Sequence, residues 1–117
     1  MATFLFILNG SAYGSESTFN GLRLADSLSR QEGNEVRLFL LGDAVTCAKH
    51  GQKVPHGYYK VELMLHPILR RQGQVGVCGS CMDARGIADA ELDQGCRRSS
   101  MEELTEWTLW ADKVLVF

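Results

Sequence analysis

A chain of 117 residues with 12 Lys and Arg against 14 Asp and Glu carries a formal charge of −2, and 45% hydrophobic residues with only 2 Pro make an ordinary globular balance. One domain over residues 1–117 is the natural count; at this length a fold buries about 65% of the surface its unfolded chain exposes, so neither disulfide nor metal is needed merely to hold it together. The Lys and Arg residues occur singly or as the pairs Arg70-Arg71 and Arg97-Arg98, a pattern that excludes nucleic-acid or membrane-surface binding as the main task.

The first predicted strand is Thr3–Leu8. It does not alternate with polar residues and is rich in the branched and aromatic types that fill a two-sided parallel sheet. Its apolar run, Phe4 to Leu8, is too short to span a bilayer and lacks the basic start and small-residue cleavage site of a signal peptide. The expectation is a cytoplasmic, reducing compartment, in which the four cysteines are free, catalytic or metal-bound rather than a disulfide framework. A helix follows over Ser17–Gln31, with Phe19, Leu22, Ala25 and Leu28 on one face. The breaker pair Gly33-Asn34 introduces a second strand, Val36–Leu41, and a short helix from Asp43 to His50 is closed by Gly51. The polar stretch Gly51–Gly57, with Lys53, Pro55 and His56, reads as a mobile loop over the carboxyl edge of the sheet.

Val61, Met64, Leu65 and Ile68 mark the apolar stripe of a helix running to Gln72. Gly73 precedes a third strand, Gln74–Cys78, and a weaker candidate strand covers Cys96–Arg98. The last helix starts at Ser99 or Ser100, each with a Glu three residues on, and Met101, Leu104, Trp107, Thr108 and Ala111 mark one of its faces. Trp107 and Trp110, beside Leu109, suggest aromatic surface for a neighbouring subunit. Lys113–Phe117 reads as a buried strand like the first. This alternation predicts a doubly wound α/β fold: a mostly parallel five-stranded sheet with helices on both faces.

In open α/β sheets, ligands bind outside the carboxyl ends of the strands. That rule selects the turns Asn9–Ser17, Gly42-Asp43 and Cys78–Cys81. Cys78-x-x-Cys81 is the sharpest local signal, because a cysteine between a strand end and a helical turn meets backbone N–H groups that stabilise a thiolate, and Arg85 is close enough in sequence to add positive charge. Three alternatives stay open. The pair can be small hydrophobes. Zinc is a second, with Cys78, Cys81, Cys96 and one of Cys47, His50 or His56 as ligands. A thioredoxin-like dithiol is a third, although both prolines, Pro55 and Pro67, precede the pair instead of following it. The first loop has the glycines and serines to cradle a phosphate or another small molecule through Gly10, Tyr13, Gly14 and Ser15, but it lacks either Gly-rich nucleotide motif. A turn whose glycines permit unusual backbone angles and whose Ser15 or Ser17 caps the helix explains it better. No cofactor and no metal is assigned.

Four segments then add up to more than a fold class: Asn9-Gly-Ser-Ala-Tyr-Gly-Ser-Glu-Ser17, Leu38-Phe-Leu-Leu-Gly-Asp-Ala-Val-Thr46, Val77-Cys-Gly-Ser-Cys-Met-Asp-Ala-Arg-Gly86 and Trp107-Thr-Leu-Trp-Ala-Asp-Lys-Val-Leu-Val-Phe117. Together and in this order they resemble the DsrE family of sulfur-relay proteins, and within it the YchN-like branch. The resemblance implies a parallel α/β fold, assembly into trimers or hexamers, and, as in the family's relay subunits, a persulfide on the cysteine seven residues before an Arg-Gly. Cys78 stands in that relation to Arg85-Gly86. The implied partners are a protein sulfur donor and a protein acceptor. Cys81 departs from the relay subunits' pattern and would be a resolving or protecting thiol.

Overall fold

The computed structural model describes residues 2–117. Five strands form one all-parallel sheet: β1 (Thr3–Leu8), β2 (Glu35–Leu40), β3 (Gln74–Cys78), β4 (Cys96–Ser99) and β5 (Lys113–Val116), in the order β4-β3-β2-β1-β5. The helices are α1 (Ser17–Ser29), α2 (Val61–Met64), α3 (His66–Arg70), α4 (Gly79–Ala84) and α5 (Met101–Trp110). Short 3-10 turns cover Gly42–Ala48 and Asp89–Glu91.

Strand order explains the layering. The chain steps one way from β1 to β4, and right-handed crossovers then keep the intervening helices on one face. The return to β5, beyond β1, puts α5 on the other. Register assigns the side chains accordingly: Phe4 pairs with Val36, Leu38 with Val75 and Leu40 with Val77, so Phe4, Phe6, Leu8, Val36, Leu38, Leu40, Val75 and Val77 share the α1 face. Most are fully buried, each such side chain contributing about 1.5–3 kcal/mol. On the α5 face Trp107 meets Phe39 edge-on at 5.9 Å, above Gly76, where a Cβ would come within 3.2 Å of the indole.

Three expectations are corrected here. The predicted helix to Gln72 is two short ones, because Pro67 lacks the N–H that a continuous helix would use and sits at the start of α3. The strand ending the chain is not core: β5 is an edge, α5 does not reach over it, and Val114 and Val116 are exposed. The paired tryptophans do not form an outer aromatic surface either. Trp107 is buried, and Trp110 lies under the Arg37 guanidinium at 3.7 Å. Ser100 is the helix start, its side chain accepting from the Glu103 N–H at 3.3 Å.

Candidate functional site

The three selected turns do meet. At the end of β2, the Gly42 N–H donates to Cys81 Sγ at 3.2 Å, and Asp43 accepts from Arg85 Nε and Nη2 at 3.1 and 2.8 Å. The Ala12 N–H of the first loop donates to Thr46 Oγ1 at 3.2 Å. First loop, 3-10 turn and α4 are thus tied side by side along the carboxyl edge.

Cys78 ends β3 and caps α4. Its sulfur accepts from the Cys81 N–H at 3.4 Å and lies 3.4 Å from Ser80 Oγ. Burial pushes this thiol up, but hydrogen bonds from the Cys81 and Ser80 side chains and N–H groups outweigh burial and hold Cys78 below the ordinary thiol value. Cys81 moves the other way, because burial and donation of its S–H to Cys78 exceed the opposing contact from the Gly42 N–H. One sulfur is therefore set up to carry the negative charge and its neighbour the proton. A stabilised thiolate is the nucleophilic form of cysteine.

Cys78 opens onto a cleft of about 380 Å³, with Phe39 and Leu41 at its base and the segment Arg98–Glu102 as the facing wall. That wall comes close only because residue 79 is glycine: a Cβ there would stand 2.7 Å from Arg98 Nη1 and 3.2 Å from the Ser99 carbonyl. Arg98 itself is engaged by Asp83 at 2.9 Å and Asp89 at 2.7 Å.

Of the residues singled out from sequence, Cys78 and Cys81 are brought together. Arg85 joins them from behind, donating to the Cys81 carbonyl at 3.0 Å, and its charge acts on Cys81 rather than on Cys78. The first loop lies elsewhere along the edge. The Gly10 carbonyl accepts from Thr18 Oγ1 at 2.7 Å, and the exposed Ser15 contacts Ser17 Oγ at 3.2 Å, so both are engaged within the loop itself. Tyr13 accepts the Val61 N–H at 2.9 Å and, with Gly14, lines a separate cleft of about 350 Å³ beside Lys53, Tyr58 and Tyr59. The segment Gly51–Gly57 accordingly lies over the first loop, and does not cover the Cys78 cleft. The cysteine-zinc reading is also corrected: the four cysteines are free thiols and, among the described residues, form no group of three metal ligands, with Cys47 enclosed in the 3-10 turn and Cys96 on β4. Sequence reasoning passed over Ser80, Gly42 as a donor, and the Arg98–Glu102 wall. Ser80 was readable, since it stands between the two cysteines; the other two depend on strand order.

The profile of the DsrE/DsrF-like family matches residues 2–117. The chain belongs to that family. It is 45% identical to Protein YchN of Escherichia coli K12 over the whole of both chains. It is 32% identical to uncharacterized protein MJ0989 of Methanocaldococcus jannaschii, covering 97% of this chain and 98% of that one. Among solved structures, the crystal structure of the ychN protein from E. coli superposes with a TM-score of 0.93 at 44% identity over all of both chains. The structure of MTH1491 from Methanobacterium thermoautotrophicum shares the fold at a TM-score of 0.73 with 11% identity, covering 98% and 99% of the two chains.

Proposed function

We propose that this protein is a sulfur-relay carrier that holds sulfane sulfur as a persulfide on Cys78 and passes it to a cysteine of a partner protein. The observation that carries the reading is the Cys78 sulfur at the mouth of a cleft, where hydrogen bonds from Cys81 and Ser80 hold its thiol below the ordinary value. In the first step the Cys78 thiolate attacks the outer sulfur of a donor persulfide, R–S–SH. The donor S–S bond breaks, R–S⁻ leaves, and Cys78–S–SH forms with no net oxidation. In the second, an acceptor thiolate attacks the same outer sulfur and Cys78 departs as thiolate. A depressed thiol pKa favours that departure, because weakly basic thiolates leave faster. Cys81 supplies a side path: its thiolate attacks the inner sulfur, forming the Cys78–Cys81 disulfide and releasing hydrosulfide.

The same reading makes the protein a cytoplasmic homo-oligomer. Free thiols suit a reducing compartment. Among the described residues no helix is long and apolar enough to cross a membrane. The surface available for assembly is the α5 and β5 side, where Leu109 is 83% and Val116 64% exposed. Incubation with a persulfide donor followed by intact mass measurement tests the central claim. An adduct of one sulfur atom, absent in Cys78→Ser, is expected; an equal adduct in that variant refutes the assignment. Light scattering coupled to size exclusion tests the assembly, which a monomer at micromolar concentration would remove.

A further inference from the structure

Away from the thiols, three residues that no motif connects come together. His50 follows the 3-10 turn, Glu62 belongs to α2, and Asp93 lies before β4. His50 Nδ1 stands 3.6 Å from Glu62 Oε2 and 3.5 Å from Asp93 Oδ1, and the three ligand atoms lie within 4.8 Å of one another. Those two separations are too long for hydrogen bonds. They match two edges of a coordination tetrahedron: ligand atoms held about 2.0–2.2 Å from one ion sit about 3.3–3.6 Å apart. An octahedral Mg²⁺ shell, with bonds of about 2.0–2.1 Å, would need adjacent ligands at about 2.8–3.0 Å.

The scaffold fixes this arrangement. An antiparallel bridge pairs Lys49 with Leu92, and around it the His50 N–H donates to the Glu91 carbonyl and the Asp93 N–H to the Ala48 carbonyl, both at 2.7 Å. Register between His50 and Asp93 is therefore set by backbone. Glu62 receives the N–H groups of Gly51 at 3.2 Å and Gln52 at 3.1 Å, one on each oxygen. His66 Nε2 is bonded to the other Asp93 oxygen, the outer-shell contact that metal-ligating carboxylates commonly carry.

Charge points the same way. Glu62 and Asp93 are only 4% and 7% exposed. Besides the two imidazoles, the cation beside them is Lys60, 3.8 Å from the far oxygen of Glu62 and itself 39% exposed. Two buried carboxylates this close call for a compact positive charge between them. The His50 ring is 72% exposed, so water reaches the open side of the group.

We propose that His50 Nδ1, Glu62 Oε2 and Asp93 Oδ1 bind one divalent first-row transition ion, zinc foremost, with a water completing the shell. An imidazole with two carboxylates suits such an ion, and three protein ligands with an open position is the arrangement of reactive rather than purely structural zinc. The site uses no thiol, so it stands or falls independently of the persulfide reading.

Zinc titration of the full-length protein by isothermal calorimetry tests it, run in parallel on Cys78→Ser/Cys81→Ser so that thiols cannot supply the ligands. One zinc per chain is expected in both samples. His50→Ala, whose exposed ring contributes little to folding, should lose affinity by at least about tenfold, and His66→Ala, which removes the hydrogen bond to Asp93, by about 10–100-fold. Thermal melts confirm that each variant is folded. Loading with Co²⁺ should give the visible bands of a tetrahedral site without thiolate charge-transfer absorption. Zinc bound equally by His50→Ala, zinc lost with the two thiols, or no binding at all would each overturn the proposal.

Discussion

Cys47 and Cys78 are both buried cysteines, and they are driven in opposite directions. Burial pushes Cys47 up to about 12 against an ordinary 9.0, with only its own N–H in opposition, and Cys96 rises to about 12 through burial and the nearby Asp93 charge. Cys78, also buried, ends below the ordinary value, because Ser80 and Cys81 aim hydrogen-bond donors at its sulfur. Depth of burial and the donors around the sulfur decide together whether a thiol is inert: Cys47 is fully enclosed, whereas Cys78 borders a cleft and has donors aimed at it. The donors to Cys78 come from the first turn after β3, and that is where the cleft opens.

The strongest way to break the comparison is to exchange sulfur for oxygen at each position. Cys78→Ser should abolish persulfide uptake and cost less than about 1 kcal/mol, since serine is a favoured cap at a helix start. Cys47→Ser should leave uptake intact and cost about 1–3 kcal/mol, because its hydroxyl would be enclosed without an assured partner. Intact mass and thermal melts read the two outcomes. The reverse pattern would mean that the reactive thiol is Cys47.

Alkaline stability sharpens the contrast next. A thiol raised from 9.0 unfolded to about 12 folded keeps its proton longer in the native state, so the unfolded state binds fewer protons between those values and stability falls as pH rises through that window. Each pH unit there removes about 1.4 kcal/mol per such thiol. Below pH 9 the contribution is fully present. Denaturant midpoints measured from pH 8 to 11 should fall less steeply in Cys47→Ala than in the parent. Native-state alkylation at neutral pH should correspondingly label Cys78 first and leave Cys47 and Cys96 unmodified.

Much of the Cys78 side of this contrast is legible in the sequence. Cys78-x-x-Cys81 names the pair, the apolar run Gln74–Cys78 makes it a strand end, and parallel sheets present strand ends to ligands. Strand order was not legible, and what went unseen followed from it. A pattern as apolar as Lys113–Phe117 reads alike for a central strand and for an edge, so β5 was expected in the core, and the exposed Val116 came as a property of topology. The Arg98–Glu102 wall exists because β4 neighbours β3, a pairing that four residues of weak strand pattern do not announce. His50, Glu62 and Asp93 are farther still from notice, each separated from the next by at least twelve residues and joined only through the Lys49–Leu92 bridge and α2.

Smaller substitutions divide the donors that distinguish Cys78 from Cys47. Ser80→Ala and Cys81→Ala each remove one side-chain donor while leaving the corresponding N–H, so the Cys78 thiol should move back toward its ordinary value. A neutral hydrogen bond contributes about 0.5–1.5 kcal/mol, which corresponds to alkylation of Cys78 at neutral pH slowing by about 2–10-fold in either variant. An unchanged rate in both would assign the effect to backbone N–H groups alone.

The smallest effect is expected at Arg85, where resemblance to the relay subunits and local geometry give different weights to the same residue. Its guanidinium grips Asp43 through Nε and Nη2 and reaches the Cys81 carbonyl, and no hydrogen bond from it ends on Cys78. The ion pair is open to solvent, with the Arg85 and Asp43 side chains 31% and 65% exposed, so it contributes about 0.2–1 kcal/mol. Arg85→Lys keeps the charge and loses the two-armed contact; the melting temperature should fall by about 1–5 °C. Because the donors to Cys78 remain in place, its alkylation rate should change by less than about twofold, the difference a fraction of a kcal/mol makes. A tenfold slower rate in a variant that still melts near the parent would instead place the guanidinium in direct control of the reactive sulfur, and would make the Arg-Gly that follows Cys78 part of the chemistry instead of a tie between α4 and the end of β2.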